Sequence, residues 1–142
     1  MATVLITGAS RGLGYEFARQ YAMAGWRVIA TCRGAKDMEA LTKLGSEVEV
    51  YKLDVTDHDQ ILALAHTLRR ESIDVLLNNA GVHGPRPSRF GAIDYEAWEQ
   101  VFRINTLGPM RMAECFVDHI ARSDRKLIVQ ISSFMGSISG NE

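Results

Sequence analysis

Short runs of apolar and β-branched residues alternate along this chain with longer stretches in which apolar positions recur every three to four residues. The short runs fall at 2–7, 27–31, 48–53, 74–78 and 126–132. Each is bounded by turn or helix signals, and the run at 2–7 is fully apolar at its centre, the mark of a strand covered on both faces. The longer stretches read as helices. In 13–24, Leu13, Phe17, Tyr21 and Ala24 share a helical face, and Gly25 stops the helix. Residues 36–44 form a short helix closed by Gly45. Thr56 is placed to cap a helix reaching about residue 70, with Ile61, Leu64, Ala65 and Leu68 toward the core. Asp94 is placed to cap a long helix reaching about residue 122, after a glycine- and proline-bearing loop at 81–91.

Strands separated by helices of this length predict βαβ units and a parallel sheet with helices on both faces. Right-handed crossovers then favour the sheet order 3-2-1-4-5, the doubly wound α/β arrangement, with ligands at the carboxyl ends of the strands. No repeat, low-complexity segment or linker interrupts the pattern, so 1–142 reads as one domain. With 46% hydrophobic residues, a chain of 142 has the material for a real core. A net charge of −1 and the lack of a basic run argue against a nucleic-acid partner, and no apolar stretch approaches the length of a membrane span. Met1 leads directly into the first strand, without the charged segment and cleavage site of a secretory signal. Cys32 and Cys115 show no CxxC spacing and no histidine cluster. They fit reduced thiols and a cytoplasmic location better than a disulfide or a zinc site.

The most specific chemistry lies where the first strand gives way to the first helix, at Thr7-Gly8-Ala9-Ser10-Arg11-Gly12-Leu13-Gly14. Glycines here permit a tight turn and a close approach of backbone to phosphate, while the first helical amides and the helix dipole favour an anion. The spacing GxxxGxG differs from the common GxGxxG, and no Gly-Lys-Ser/Thr follows as in a P-loop. Alone, such a turn fits a plain strand-to-helix connection equally well. With a strand before it and an amphipathic helix after it, it reads as the phosphate cradle of a dinucleotide-binding Rossmann fold.

Taken in order, Thr7 to Gly14, Leu53-Asp54-Val55, Asn78-Asn79-Ala80-Gly81, Asn105 and Ser133 resemble the motifs of the short-chain dehydrogenase/reductase family across essentially the whole chain. The detail of Ala-Ser-Arg-Gly-Leu-Gly and Asn-Thr-Leu-Gly-Pro is similar to its C-factor-like branch. The resemblance implies a nicotinamide-dependent oxidoreductase and homo-oligomer acting on a small-molecule carbonyl or alcohol. Thr7, Gly8, Ser10, Arg11, Gly12, Leu13 and Gly14 would surround the cofactor phosphates. Asp54 and Val55 would meet the adenine, and Asn79, Ala80 and Gly81 would lie beside the ribose. Asp54 also suits the turn before a helix cap, and Asn79 suits a clasp between strand ends. The second strand ends Thr31-Cys32-Arg33, with no acid in the slot that takes ribose hydroxyls in NAD binders. Arg33 and Arg11 together suit a clamp on a 2′-phosphate, which favours NADP(H) over NAD(H).

Trp98, Val101, Phe102 and Asn105 share one face of the long helix, where a buried Asn needs a hydrogen-bond partner. Pro109 has no N–H, so the Asn105 carbonyl loses its usual helical donor, although Gly108-Pro109 also suits a simple packing kink. The resemblance implies that this carbonyl holds a water of a proton relay. Ser133 stands three residues before Gly136, the spacing of the family's catalytic serine, whose hydroxyl polarises the substrate oxygen. The family's general acid/base is a tyrosine followed four residues later by a lysine. Tyr15, Tyr21, Tyr51 and Tyr95 are followed at that spacing by Arg19, Gly25, Val55 and Glu99, so the pair does not occur in these 142 residues.

The expectation is therefore the cofactor-binding half of an NADP-dependent reductase, lacking the family's C-terminal strands and inactive alone. It would be either the N-terminal part of a longer reductase or a degenerate relative that closes an exposed fifth-strand edge by self-association. The alternative is a non-catalytic dinucleotide-sensing module. A nucleotide-sugar epimerase is disfavoured by the GxxxGxG spacing. Residues 81–87 would border the substrate pocket, with His83 a loop residue; His58, His66 and His119 read as surface or packing residues on helices, and no metal ligands cluster.

Overall fold

The computed structural model describes residues 1–86 and 89–140. Pro87, expected at the substrate pocket, lies outside the described residues. Five parallel strands carry the fold: β1 (Thr3–Ile6), β2 (Arg27–Cys32), β3 (Val48–Lys52), β4 (Val75–Asn78) and β5 (Leu127–Gln130). Their order is β3-β2-β1-β4-β5, the doubly wound order read from the alternation of strands and helices. The register places Thr3 beside Arg27, Val4 beside both Val28 and Val75, and Val75 beside Leu127.

β1 lies at the centre because all four of its side chains can be buried on both faces. Val4 and Ile6 pack with Ala18 and Leu41 of α1 (Gly12–Met23) and α2 (Ala35–Thr42). Leu5 packs on the opposite face with Ile61, Leu64, Phe116 and Ile120, which come from α3 (His58–Thr67) and α5 (Gly108–Ala121). Two core layers therefore sandwich the sheet, as strands apolar on both faces require.

The structure corrects several details. Leu13 and Ala24 are exposed; Gly14 and Ala18 are the buried line of α1, because small residues let its start lie close against the sheet. Thr56 does not cap α3. Asp57 does, accepting from the Gln60 amide at 3.1 Å, while the Thr56 hydroxyl donates to Asp54 Oδ1 at 2.7 Å. Asp94 caps as expected, accepting from the Ala97 amide at 3.0 Å. The helix it starts is not continuous. α4 (Tyr95–Phe102) passes into a π-turn (Arg103–Leu107) and then into α5, with the Gly108 amide reaching back to the Arg103 carbonyl. Pro109 explains the break: with no N–H it cannot close the α-helical bond onto Asn105, and the turn widens by one residue.

Trp98, Phe102 and Asn105 do not face the core; Trp98 is 59% and Phe102 53% exposed, because no residue of α4 is buried in either layer. β3 and β5 are the two edges of the sheet, and β5 is the more open, with Leu127 48% and Ile128 42% exposed. Among the described residues no helix is long and apolar enough to cross a membrane, and no group of metal-ligating side chains occurs.

Candidate functional site

The carboxyl ends of β1, β2, β3 and β4 open on one cleft of about 410 Å³. The turn from β1 to α1 forms its floor. Gly8 has φ of +64°, and a Cβ there would lie 2.8 Å from the Ala80 Cα; a Cβ at Gly14 would overlap the Gly8 carbonyl. Only a chain without side chains at both places can fold so flat against the end of β4. Arg11, the residue preceding α1, is extended and makes no side-chain cap, so the first amides of α1 have no side-chain acceptor. α3 and α4 are both capped by aspartates. An uncapped helix start facing a glycine turn suits an anion, and the residues present fit a dinucleotide's phosphates.

The floor is held from behind. Thr7 is 1% exposed, and its Oγ1 accepts from the amides of Asn79 at 3.1 Å and Ala80 at 3.0 Å. Asn79 Nδ2 donates in return to the carbonyls of Thr7 at 3.1 Å and Gly8 at 3.0 Å. Asn79 is thus the strand clasp, and it also borders the cleft. Thr7 alone among the predicted cofactor residues lies behind the wall; its hydroxyl oxygen accepts two amides in supporting the turn.

Gly8, Ser10, Arg11, Gly12, Leu13 and Gly14 line the cleft from one element, and Arg33, Asp54, Val55, Asn79, Ala80 and Gly81 from three others. Leu13 is exposed because it stands at this opening. Arg11 and Arg33 are exposed and have no ion-pair partner among the described residues. Asp54 serves the turn as well: its Oδ1 accepts from the Thr56 amide at 2.9 Å and hydroxyl, and its own amide donates to Gln60 Oε1 at 2.9 Å. Cys32, Leu53, Val82, His83 and Ile104 also line the cleft. Burial, helped by Asp37, pushes the Cys32 thiol up, so it stays protonated. Ile104 was findable as an apolar neighbour of Asn105, and Val82 and His83 belong to the 81–87 loop expected at the substrate pocket; Cys32 carries no signal beyond its place at the end of β2.

A second groove, about 870 Å³, runs from the end of β4 past the π-turn to the end of β5. It brings Asn105 and Ser133 together, with Asn79 to His83 shared between it and the cleft. Ser132 borders the groove too, since the groove wraps the strand end. Ser133 leads the 3-10 turn Phe134–Gly136, and its Oγ accepts from the Met135 amide at 3.2 Å. That acceptance leaves the hydroxyl hydrogen free to donate. Asn105 finds its partner on the loop instead of in the core. Its Oδ1 accepts from the Val82 amide and its Nδ2 donates to the Val82 carbonyl, both at 2.9 Å.

A family model described as short chain dehydrogenase matches residues 2–142. The chain belongs to that family. It is 35% identical to (+)-neomenthol dehydrogenase of Arabidopsis thaliana, over 94% of this chain and 54% of that protein. It is 38% identical to galactitol 2-dehydrogenase of Agrobacterium fabrum, over 93% of this chain and 52% of that protein. The chain thus spans about half the length of these curated relatives. Among solved structures, serine dehydrogenase from Escherichia coli superposes with a TM-score of 0.86 at 30% identity, covering 98% of this chain and 67% of that one. A short-chain dehydrogenase/reductase from Burkholderia multivorans with bound NADP superposes with a TM-score of 0.85 at 32% identity, covering 99% and 62%.

Proposed function

We propose that this chain is the cofactor-binding half of an NADP-dependent short-chain oxidoreductase that reduces a small carbonyl or oxidises the matching alcohol. The single observation that carries the reading is the cleft at the strand ends. Its floor is a glycine turn with an uncapped helix start, and its rim holds Arg11 and Arg33 but no acid at the end of β2. NADP bound in matched structures supports the same cofactor. When bound, the cofactor accepts or supplies the hydride. Asp54 offers the adenine an acceptor, and the two guanidinium groups take the 2′-phosphate. Ser133 donates to the substrate oxygen, and the Asn105 carbonyl, freed by Pro109, holds a water for the proton relay. The tyrosine and lysine that move the proton are absent from this sequence, so the chain binds cofactor without turning over.

In this reading the chain is the N-terminal part of a longer cytoplasmic reductase. It self-associates through the exposed Tyr95, Trp98 and Phe102 face or the β5 edge; sedimentation of the chain as a monomer at tens of micromolar would remove that element. No observation favours the rival reading as a sensing module. The cofactor reading is tested with Arg33→Asp, titrating NADPH and NADH fluorescence. NADPH affinity should fall about tenfold or more, the scale of one lost charge-assisted hydrogen bond, while NADH affinity holds. Unchanged discrimination between the two would reject the NADP clamp.

A further inference from the structure

The π-turn and the first residue of α5 together touch both ends of the cleft within five residues. Ile104 is 8% exposed and lines the cleft wall. Asn105 holds both backbone groups of Val82, which lies in the cleft and in the neighbouring groove. Gly108 is buried, and a Cβ built on it would lie 3.0 Å from Cβ, Cγ2 and the carbonyl oxygen of Val55. Ordinary carbon contacts need about 3.5–4.0 Å, so a side chain there requires the two segments to give by a few tenths of an ångström. The segment carrying Val55 does not yield easily. Asp54 is tied to Gln60 and Thr56, and Asp57 caps α3 directly behind it.

We propose that Gly108 is a positioning residue: its missing side chain lets the π-turn wedge between the Val55 turn and the Val82 loop, so that one rigid block sets both ends of the cofactor cleft. The ligand of this block follows from the dinucleotide reading of the cleft. A ligand that orders the Val55 side then firms the Asn105–Val82 latch through the wedge, over and above any contact of its own with the loop, and the coupling is reciprocal. The half-cofactor 2′,5′-ADP, which lacks the nicotinamide end, is the probe, and Gly108→Ala separates the wedge from direct contact of the ligand with the loop.

Amide hydrogen exchange at Val82 in the 142-residue chain is the readout. In the wild type, saturating 2′,5′-ADP should slow Val82 exchange about fivefold or more, the usual scale of site-to-site coupling. Gly108→Ala should weaken 2′,5′-ADP binding about tenfold, as overpacking does, and abolish that slowing. Removing Cγ2 with Val55→Ala in the Gly108→Ala background should restore part of it, which a general loss of stability would not do. No ligand response at Val82 in the wild type, or a full response in Gly108→Ala, would overturn the coupling. If the wild type binds no 2′,5′-ADP, the dinucleotide reading fails by itself. The wedge is then decided without ligand: Gly108→Ala, or Val55→Ala if the first does not fold, must speed Val82 exchange, and an unchanged rate overturns it.

Discussion

Thr7→Val is the sharpest test of how the cleft floor is supported. Valine keeps the shape of threonine at a site 1% exposed, so packing is nearly conserved. What disappears is one oxygen that accepts two backbone amides, those of Asn79 and Ala80. An amide deprived of its acceptor in a buried site costs about 1–3 kcal/mol. Two are affected, both part-buried, so water relieves some of the loss and the expected sum is about 2–4 kcal/mol. Urea unfolding followed by circular dichroism should show it, as a midpoint lowered by roughly 1–2 M at a slope of about 2 kcal/mol per molar. Thr7→Ser retains the oxygen and removes one methyl, so it should lose only about 1 kcal/mol. If Thr7→Val unfolds within about 0.5 kcal/mol of the wild type, or if Thr7→Ser is the worse variant, the hydroxyl is not the support described here.

Two further outcomes are expected. Asn105→Leu removes both bonds to Val82, so Val82 amide exchange should rise about tenfold while the unfolding free energy from urea titration falls by no more than the net worth of two exposed hydrogen bonds, about 1–2 kcal/mol; unchanged exchange would refute the latch. His119 is buried, its Nε2 donating to the Ala65 carbonyl at 3.1 Å, and burial above all, with Arg122 adding to it, holds its pKa below the ordinary 6.5. The unfolded chain therefore takes up the proton first, so stability present above pH 6.5 is lost as the pH falls below it. His119→Gln should flatten the urea midpoint between about pH 7 and about pH 5 relative to the wild type, and an identical slope would count against it.

The parts of the fold legible in the sequence were those written in local patterns. Five apolar runs separated by helix-length segments, plus the handedness of crossovers, were enough for the order β3-β2-β1-β4-β5. The glycine turn and the ends of β2, β3 and β4 converge because they sit at the same end of neighbouring parallel strands. What failed depended on partners distant in sequence. Leu13 looked like core because periodicity cannot know that its end of α1 opens on a cleft. Trp98 and Phe102 looked like core because amphipathicity marks a face to be covered without naming what covers it. Thr56 and Asp57 are both good caps, and the choice was made by Asp54 engaging the Thr56 hydroxyl. Pro109 announced a disturbed helix, but not that Asn105 would turn outward to hold Val82.

The central position of β1 has a kinetic corollary. β1 meets β2 across a short separation, Val4 beside Val28, but meets β4 only when Val4 reaches Val75. The longer closure carries about 1 kcal/mol more loop entropy, so the β1–β2–β3 half can assemble before β4 docks. The Thr7 hydroxyl has no amides to receive until that docking occurs, because both of its donors follow β4. Its contribution then falls after the folding barrier, and a loss of about 2 kcal/mol in Thr7→Val would appear as unfolding about thirtyfold faster with the folding rate scarcely changed. In that order of assembly the clasp behind the cleft would govern how long the folded chain persists more than how quickly it forms.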